Sequence, residues 1–494
     1  MAKRDYMHSR ILDVHRWSDH PEANRFVDQV YERYLGPVPS ESQKIQKKHL
    51  KVVLLDLYVA WQIDPALNIA VHMSEVAYSN GTVSLSGKNR YNALNIKVST
   101  ISIVHRLENA GLIGVKLGWR DEEGQGFLTR IWPKPKLIRL FETTLFGYFD
   151  ISNPANRETV ILRDEEKRFV DYEDTENTNE MRELLQRYNA LLHRTFIDIP
   201  KLDKPRIELP EKRRRKRRKV PVFVNISHHD KFVRRIFNNS TFTDGGRFYG
   251  GWWQRIDGDH REGIFIDDSP TVEIDYSSLH AILAYAEAGI DYWAETDEDP
   301  YDLPVRGVNN PEHTRNIVKL FMLLSLNASD EPSLLLAFRS ELDYKKHPYS
   351  FPDNVLNELL AAVRERHARI AHLICSGAGL RLMNIDSHIC AHIIRGFLEE
   401  NIPILTVHDS FIVPFGQEDR LNQLMREAFA EITSSKNIKV KYNRNLTKRQ
   451  LYAHGAQDRN WFLDMIASMR SPDKTDGYKL RLGKHKAWLD ASQD

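Results

Sequence analysis

Apolar residues gather in short stretches that predict strands ending in aspartates. The segment Val272–Asp275 indicates a buried strand, and a helical period begins directly after Asp275. Ile404–Val407 and Phe411–Val413 are typical of the two arms of a hairpin, with Asp409 at its tip. The pattern therefore places two aspartates, which are distant in sequence, at the ends of strands.

A helix with a charged face is predicted between these strands. Asn310 is a suitable N-cap, and Pro311 suits the first helical position. Arg315 and Lys319 are four residues apart and therefore lie on one face of this helix. An Arg fork and a Lys point charge together can hold a triphosphate. The alternative is a solvated basic stripe, but the apolar run 320–324 that follows favours a packed helix.

A helix and a hairpin are also predicted in the N-terminal part of the chain. Ser99–Ala110 carries apolar residues on one face and polar ones, including Arg106, on the other. Alternating residues in 115–117 and 127–131 flank a polar turn and indicate a hairpin. This order is similar to that of winged helix-turn-helix domains, in which the helix enters a DNA groove. The alternative is an ordinary α+β subdomain with a core helix.

Composition narrows the class of protein. A chain of 494 residues with 41% hydrophobic residues suggests about two to four globular domains. Its two cysteines, Cys375 and Cys390, have neither disulfide nor zinc spacing, which favours the cytoplasm. The chain start lacks an apolar signal region, and no apolar stretch is long enough to span a bilayer. We therefore expect no membrane partner.

Charge is clustered along the chain. The longest basic run consists of Lys212, Arg213, Arg214, Arg215, Lys216, Arg217, Arg218 and Lys219. Such a run binds phosphate backbones without reading their sequence, which is our interpretation here. A flexible basic loop and a nuclear-import signal are the alternatives. The acidic stretch 164–180 is predicted to be a solvated linker.

Two carboxylates on adjacent strand ends are what a pair of Mg²⁺ ions needs for nucleotidyl transfer. One metal lowers the pKa of the attacking hydroxyl, and the other carries the triphosphate and the leaving oxygen. Asp275 and Asp409 are therefore predicted metal ligands, with Mn²⁺ able to substitute for Mg²⁺.

These aspartates resemble two motifs of the family A nucleic-acid polymerases. That family contains bacterial DNA polymerase I and the single-subunit RNA polymerases of phages and mitochondria. Asp275 and Tyr276, with the following serine, match motif A, an Asp-Tyr-Ser-type turn after a strand. His408 and Asp409 match motif C, a His-Asp hairpin. The resemblance covers residues 242–414 and depends on the order and combination of the motifs.

The remaining family elements occur between and before these two. Arg315 and Lys319 match motif B, the fingers helix. The segment 243–249, which contains Arg247, resembles the Thr-Gly-Arg element that touches the primer–template minor groove, and Gln254 follows it. Residues 299–301 resemble the Asp-Ile-His element between motifs A and B.

The resemblance implies roles for individual residues. The Tyr276 carbonyl would be a further metal ligand, and Lys319 would protonate pyrophosphate as a general acid. The implied nucleic-acid contacts are Arg247, Gln254 and His408. The implied nucleotide contacts are Arg315, Lys319, Tyr276, His280, Leu323 and Asn327.

Several positions depart from the family's DNA polymerases and leave the choice of sugar open. His280 stands where those enzymes carry a Glu that excludes a ribose 2′-hydroxyl. Ser410 stands where they carry a Glu, as in the RNA polymerases. Leu323 is more similar to the methionine that the RNA polymerases carry at this position, whereas Asn327 matches neither group.

The predicted fold is α+β, a right-hand polymerase with palm, fingers and short thumb behind an N-terminal winged helix-turn-helix domain. The predicted divisions are a winged-helix-like module (1–150), an acidic linker (151–180), a thumb-like basic helical segment (181–240), palm and fingers (241–470) and a charged C-terminal tail (471–494). The region before the thumb is too short for a proofreading exonuclease beside a winged helix, so none is expected.

The predicted function is template-directed DNA synthesis from nucleoside triphosphates on a DNA template-primer. The hypothesis includes RNA as a further template, chain initiation without a primer, and an origin in a mobile or plasmid-like element. One alternative is an RNA polymerase or primase. A second is a DNA-binding replication initiator or defence protein whose polymerase fold is not catalytic.

Overall fold

The structure is a computed structural model that describes residues 4–36, 40–74, 89–122, 124–209, 222–342, 348–442 and 474–492. Within these ranges the chain is a mixed α and β protein with two main hydrophobic cores. One core is built from residues between 12 and 151, the other from residues between 160 and 438. None of the helices in these ranges has the length and apolarity needed to cross a membrane. The basic run 212–219 lies outside the described residues.

The N-terminal part combines helices with a four-stranded sheet. Its helices are α1 (Pro21–Val30), α2 (Ser40–Ile63), α3 (Ser99–Asn109) and α4 (Pro135–Phe141). Its strands are β1 (Ser9–Ile11), β2 (Asn68–Val71), β3 (Ile113–Lys116), β4 (Trp119–Arg120), β5 (Gly126–Phe127) and β6 (Thr129–Pro133). The sheet order is β1-β2-β6-β3, with β1 parallel to β2 and the other pairs antiparallel.

The predicted N-terminal hairpin and the helix before it are confirmed. β3 pairs with β6, and the separate ladder β4-β5 extends the hairpin at its polar end. Helix α3 buries Ile103, Val104 and Leu107 in the N-terminal core. Ile101, another apolar residue of this helix, is only half-buried, because the helix turns Ile103 inward in its place.

The larger part of the chain contains further strands, most of them short. They are β7 (Val160–Leu162), β8 (Ile197–Asp198), β9 (Arg206–Leu209), β10 (Val222–Asn225), β11 (Arg234–Phe237), β12 (Gly245–Tyr249), β13 (Phe265–Ile266), β14 (Ser269–Tyr276), β15 (Leu405–Val407), β16 (Ser410–Pro414) and β17 (Val440–Tyr442).

Helices surround these strands. They are α5 (Glu176–Arg194), α6 (Gly258–Arg261), α7 (Leu279–Glu287), α8 (Tyr292–Glu295), α9 (Pro311–Asn327), α10 (Glu331–Glu341), α11 (Asp353–Arg366), α12 (Gly379–Glu399), α13 (Glu418–Thr433) and α14 (Asp476–Ala491).

The sheet that carries both predicted aspartates has the strand order β15-β16-β14-β13-β8, with β17 on the other side of β14. The predicted strand before Asp275 and the predicted hairpin around Asp409 are both confirmed. Antiparallel pairing of β14 with β16 sets Asp275 opposite Ser410. Since Asp409 directly precedes Ser410, the register brings the two carboxylates to the same edge of the sheet.

The acidic stretch differs from the solvated linker that was predicted. Strand β7 pairs in parallel with β11, and its three residues are buried. Arg90, from the N-terminal part, lies 2.6 Å from the carboxylate of Asp171 and 3.0 Å from that of Asp174. Arg182 on α5 pairs with Asp174 as well. The negative charges therefore join the two parts of the chain through arginines that are distant in sequence.

The thumb-like helical segment predicted at 181–240 is also different in the structure. In the described part of this segment, helix α5 is followed by strands β8 to β11 and one 3₁₀ turn, His228–Asp230. Tyr188 on α5 is buried, and its hydroxyl donates to the carbonyl of Ile404 at 2.6 Å. Because α5 packs its apolar face into the large core, it does not project from the body as a thumb would.

The charged C-terminal tail folds as helix α14 and packs on the body. Tyr478 and His485 are buried, and Arg481 lies 2.7 Å from the carboxylate of Asp198. Phe149, from the N-terminal part, stacks on Trp488 with ring centroids 5.3 Å apart. Opposite charges and aromatic partners distant in sequence therefore hold a segment that was predicted only as a tail.

Candidate active site

Asp275 stands at the end of β14, where the strand changes into a helix. The strand is buried along most of its length, but Asp275 itself is half-buried. Ser278, three residues later, has a left-handed φ of +60° and precedes α7. This break in the backbone ends the strand and leaves the carboxylate at the edge of the sheet.

Asp409 lies in the two-residue turn between β15 and β16. The backbone amide of Tyr276 donates to its carbonyl oxygen at 3.3 Å, which extends the β14–β16 pairing into the turn. His408, the other turn residue, has a left-handed φ of +56°, a region that few non-glycine residues adopt. The motif residues of the two strands are therefore held together by the backbone.

The two carboxylates influence each other. Burial and the neighbouring Asp409 raise the pKa of Asp275 to about 7. The Lys319 ammonium on α9 opposes this shift. The Oδ1 atom of Asp275 is buried and has no hydrogen-bond partner among the described residues. A buried carboxylate oxygen without a donor is costly unless a cation binds it.

This donor set fits Mg²⁺. No cluster of three or more His, Cys, Asp or Glu side chains that could hold a metal ion occurs in the described part of the chain. Mg²⁺ needs no such cage, because it keeps several waters and is usually held by one or two carboxylates together with substrate phosphates. Asp275 and Asp409 would supply those carboxylates, and the unpartnered Oδ1 is the oxygen that lacks a cation.

Helix α9 begins as predicted. The Asn310 side chain accepts a hydrogen bond from the amide of His313 at 3.0 Å, and Pro311 occupies the first turn. Four residues spaced by one turn are exposed along one face, namely Arg315, Lys319, Leu323 and Asn327. The opposite face is buried in the large core, as the apolar run predicted. The four predicted nucleotide contacts of this helix therefore share one exposed stripe.

The two cations of this stripe differ in their surroundings. Arg315 donates to the carboxylate of Asp299 at 2.6 Å and lies over the ring of Tyr301. Lys319 has no ion pair within the described ranges, and its charge reaches Asp275. At the far end of the stripe, Asn327 donates to the Leu323 carbonyl at 2.7 Å.

Arg247 on β12 connects two further groups of the site. Its Nε donates to the Asp386 carboxylate on α12 at 2.7 Å. Its Nη2 lies 3.0 Å from Nε2 of His280 on α7. Burial and then the Arg247 charge lower the pKa of His280. His280 is thus a buried neighbour of Arg247, a relationship that the sequence pattern did not reveal.

Gln254 has a structural role that differs from the predicted nucleic-acid contact. Its Nε2 donates to the carbonyls of Phe248 and Thr406, both at 2.9 Å, and its Oε1 accepts from the amide of Gly250 at 3.0 Å. Both amide hydrogens are therefore used to join β12 to β15. His408 is exposed, and its ring lies 5.8 Å from that of Tyr249.

A buried ion pair beneath the turn was missed by the sequence analysis. Glu273 is two residues before Asp275 on β14 and accepts a hydrogen bond from the Ser410 hydroxyl at 2.6 Å. Arg261 donates to both of its carboxylate oxygens, at 3.0 and 3.1 Å. A charged residue inside an otherwise apolar strand was the available signal. Ser410 therefore braces the turn through Glu273.

Another predicted nucleic-acid contact, Arg106, lies in the N-terminal part of the chain. Arg106 on α3 contacts the Gln46 side chain and the Leu35 carbonyl, so its guanidinium is turned toward its own domain. His105 and Asn109 are exposed on the same helix. The run Lys212–Lys219 falls outside the described residues.

Comparison with known proteins gives no relative. The chain matches no protein-family model, and no curated protein sequence matches it.

Proposed function

We propose that the chain is a template-directed nucleotidyltransferase, specifically a DNA polymerase of the family A type. The observation that carries the proposal is the buried, unpartnered Oδ1 of Asp275, beside Asp409 and within the field of Lys319. A carboxylate pair facing a free ammonium across an open edge is suited to a metal-bound triphosphate. A purely structural carboxylate would have a donor within the fold.

Asp275 and Asp409 would hold Mg²⁺, with the Tyr276 carbonyl as the further ligand that the family resemblance implies. The bound metal ions would activate the attacking hydroxyl and neutralise the developing phosphate charge.

Lys319 and Arg315 would bind the triphosphate from the exposed stripe of α9. Lys319 has three N–H donors and would deliver a proton to the departing pyrophosphate. Arg315 pairs with Asp299 in the free protein, so its guanidinium is held in place before the nucleotide arrives. Binding would require the phosphates to share or replace that carboxylate.

The N-terminal part would bind the DNA template. Its order of helix, strand, helix and hairpin, with β2 paired to β6 and β6 to β3, is similar to that of a winged helix and supports this part of the proposal. The exposed His105 and Asn109 of α3 are the side chains available to a groove. Arg106 is less suited to direct readout, because it is tied to the domain itself.

RNA synthesis, by an RNA polymerase or primase, is the second candidate. It is favoured by Leu323, which is 37% exposed on the stripe beside Lys319, and by Ser410, the first residue of β16, which stands where the family's DNA polymerases carry Glu. A hydrogen-bond donor on the His280 ring would also suit a ribose 2′-hydroxyl. DNA synthesis and RNA synthesis share the same catalytic carboxylates, so substrate preference alone separates the two.

The deciding experiment is nucleotide incorporation by the purified full-length chain. Deoxynucleotides or ribonucleotides are supplied with Mg²⁺ on single-stranded DNA or RNA templates, with and without a primer. We expect extension of a primed DNA template with deoxynucleotides, and none by the Asp409→Asn variant. Extension with ribonucleotides only, or synthesis only without a primer, would favour the second candidate. No incorporation under any condition would refute both.

A further inference from the structure

Asp386 is a buried carboxylate in the middle of helix α12, and its side chain is directed at Arg247. It is 2% exposed, and its Oδ2 accepts from Arg247 Nε at 2.7 Å. The Arg247 side chain is itself only 11% exposed. A charge-assisted hydrogen bond at this depth is short and directional, so it fixes the plane of the guanidinium.

The fixed guanidinium determines which ring nitrogen of a neutral His280 carries the proton. A guanidinium remains protonated in proteins and only donates hydrogen bonds. Its Nη2 lies 3.0 Å from Nε2 of His280, so that nitrogen must accept. A neutral His280 ring then carries its proton on Nδ1. Within the described ranges, Nδ1 has no hydrogen-bond partner, which leaves it as a donor.

We propose that Asp386 is a positioning residue that, through Arg247, holds His280 as a hydrogen-bond donor to the sugar of the incoming nucleotide. The inference rests on the proposed function and deepens it. A ribose 2′-hydroxyl oxygen accepts such a hydrogen bond, whereas a deoxyribose has no oxygen there. Sugar preference in this chain is therefore set by a carboxylate on α12 that does not touch the nucleotide.

Helix α12 does not need Asp386 in order to keep its place. The neighbouring Ser387 accepts a hydrogen bond from Arg235 at 2.7 Å, and Arg235 also donates to the Gly246 carbonyl at 2.8 Å. A Cβ atom on Gly246 would lie only 2.9 Å from the Ser387 Oγ, so helix and strand are in close contact there. Replacing Asp386 with an amide should thus weaken its hold on Arg247, because an amide oxygen accepts without the negative charge, while α12 stays packed on β12.

The first test measures incorporation of one deoxynucleotide and one ribonucleotide opposite the same template base. Asp386→Asn should lower the efficiency ratio of ribonucleotide to deoxynucleotide by about tenfold, the effect of one hydrogen bond that is no longer formed. The rate with deoxynucleotide should fall less than the rate with ribonucleotide, because both depend on the placement of Arg247 but only the ribose uses the His280 bond. Glu287→Gln is the matched control, because it removes a carboxylate that pairs with Arg381 on α12, the helix that carries Asp386.

The pattern of loss distinguishes positioning from a structural role. An equal loss with both nucleotides would mean that Asp386 only stabilises the fold, and would overturn the proposal. A double variant provides a second check: in a His280→Ala background, Asp386→Asn should leave the ratio unchanged. An undiminished effect in that background would show that Asp386 acts by another route.

The second test does not depend on activity. In protein labelled with ¹⁵N-histidine, long-range ¹H–¹⁵N correlations report which ring nitrogen carries the proton, and a His280→Gln spectrum assigns the signal. Wild type should show the Nδ1–H form at pH 7.5, and Asp386→Asn should show a mixture. An Nε2–H form in wild type would overturn the proposed relay. If the spectra are as expected but the chain incorporates no nucleotide, the hydrogen-bond relay from Asp386 through Arg247 to His280 stands. The proposed function, and with it the sugar contact assigned to His280, would be refuted.

Discussion

The backbone amide of Tyr276 donates to the carbonyl oxygen of Asp409 at 3.3 Å. This contact joins the end of β14 to the tip of the β15–β16 turn, which are separated by more than a hundred residues of chain. The position of each carboxylate is consequently set by main-chain pairing. Side-chain substitutions at the site should alter its chemistry more than its geometry.

Replacement of either aspartate by asparagine should abolish nucleotide incorporation. The bound metals supply several kcal/mol of transition-state stabilisation, so Asp275→Asn and Asp409→Asn should each reduce the single-turnover rate by about 10³-fold or more. Asp297→Asn is the control, because that carboxylate is exposed and pairs only with a surface lysine. Near-normal rates in either site variant would contradict the catalytic assignment.

The same Asp275→Asn substitution should stabilise the metal-free protein at alkaline pH. Folding raises the pKa of Asp275 from 3.8 to about 7, chiefly through burial and then through Asp409. A raised acid pKa means that the folded state holds its proton more tightly than the unfolded one. Wild-type stability should therefore fall as pH rises from about 4 to 7, and asparagine removes this loss.

Chemical denaturation in EDTA at pH 5 and pH 8 measures the effect. We expect the variant to be about 2 kcal/mol more stable than wild type at pH 8; a shift of three pKa units would give about 4 kcal/mol, which partial exposure reduces. The difference should shrink at pH 5. Added Mg²⁺ should raise the stability of wild type and not of the variant. An advantage that is the same at both pH values would mean that Asp275 does not titrate as described.

Lys319→Ala should lower the incorporation rate by about 10²-fold, because the variant lacks both a phosphate ligand and the proposed general acid. Arg315→Ala should mainly weaken nucleotide binding. Glu312→Ala tests the helix itself, since this exposed residue lies in the first turn of α9 and is not one of the four predicted nucleotide contacts. A Lys319→Ala protein with reduced melting temperature and normal turnover would assign Lys319 to a structural helix face.

Local sequence signals predicted the parts of the site that local structure determines. The cap at Asn310, the strand before Asp275 and the hairpin around Asp409 each follow from propensities within a few residues. The shared stripe of α9 follows from helical spacing. These features need no partner from elsewhere in the chain, and the structure confirms each of them.

Features that depend on distant partners were not predicted. Gln254 is of a residue type that can contact nucleic acids, but its side-chain amide donates hydrogen bonds to carbonyls of two strands. Asp386 became informative only when Arg247, more than a hundred residues away, was found beside it. Periodicity predicts which face of a helix or strand a residue occupies, but it does not predict which residue from elsewhere in the chain will contact it.

Neutralising the basic run Lys212–Lys219 should weaken binding to nucleic acids of every sequence. With each phosphate contact that is lost, binding releases fewer counterions. The slope of log affinity against log salt concentration should therefore flatten by about 0.7 to 0.9 per contact. Fluorescence anisotropy over a salt series with labelled single-stranded and duplex DNA measures this slope. An unchanged slope would show that the run does not contact the nucleic acid.

Arg90→Ala should destabilise the whole chain, because Arg90 joins the N-terminal part to the acidic stretch. Its guanidinium pairs with Asp171 and Glu158, both largely buried, and donates to the Tyr172 carbonyl at 2.6 Å. Removing one partner of a buried ion pair costs about 3 to 5 kcal/mol, and we expect about 2 because Arg182 still pairs with Glu158.

Arg168→Ala is the matched control for Arg90→Ala. Its ion pairs belong to the same acidic stretch, but the side chain is 67% exposed, and a solvent-exposed pair of this kind contributes little to stability. Chemical denaturation of both variants supplies the comparison. If the acidic stretch were a solvated linker, the two substitutions would have equally small effects. A large effect of Arg90→Ala alone, with a single cooperative transition, would mean that the N-terminal part and the larger part of the chain unfold as one unit.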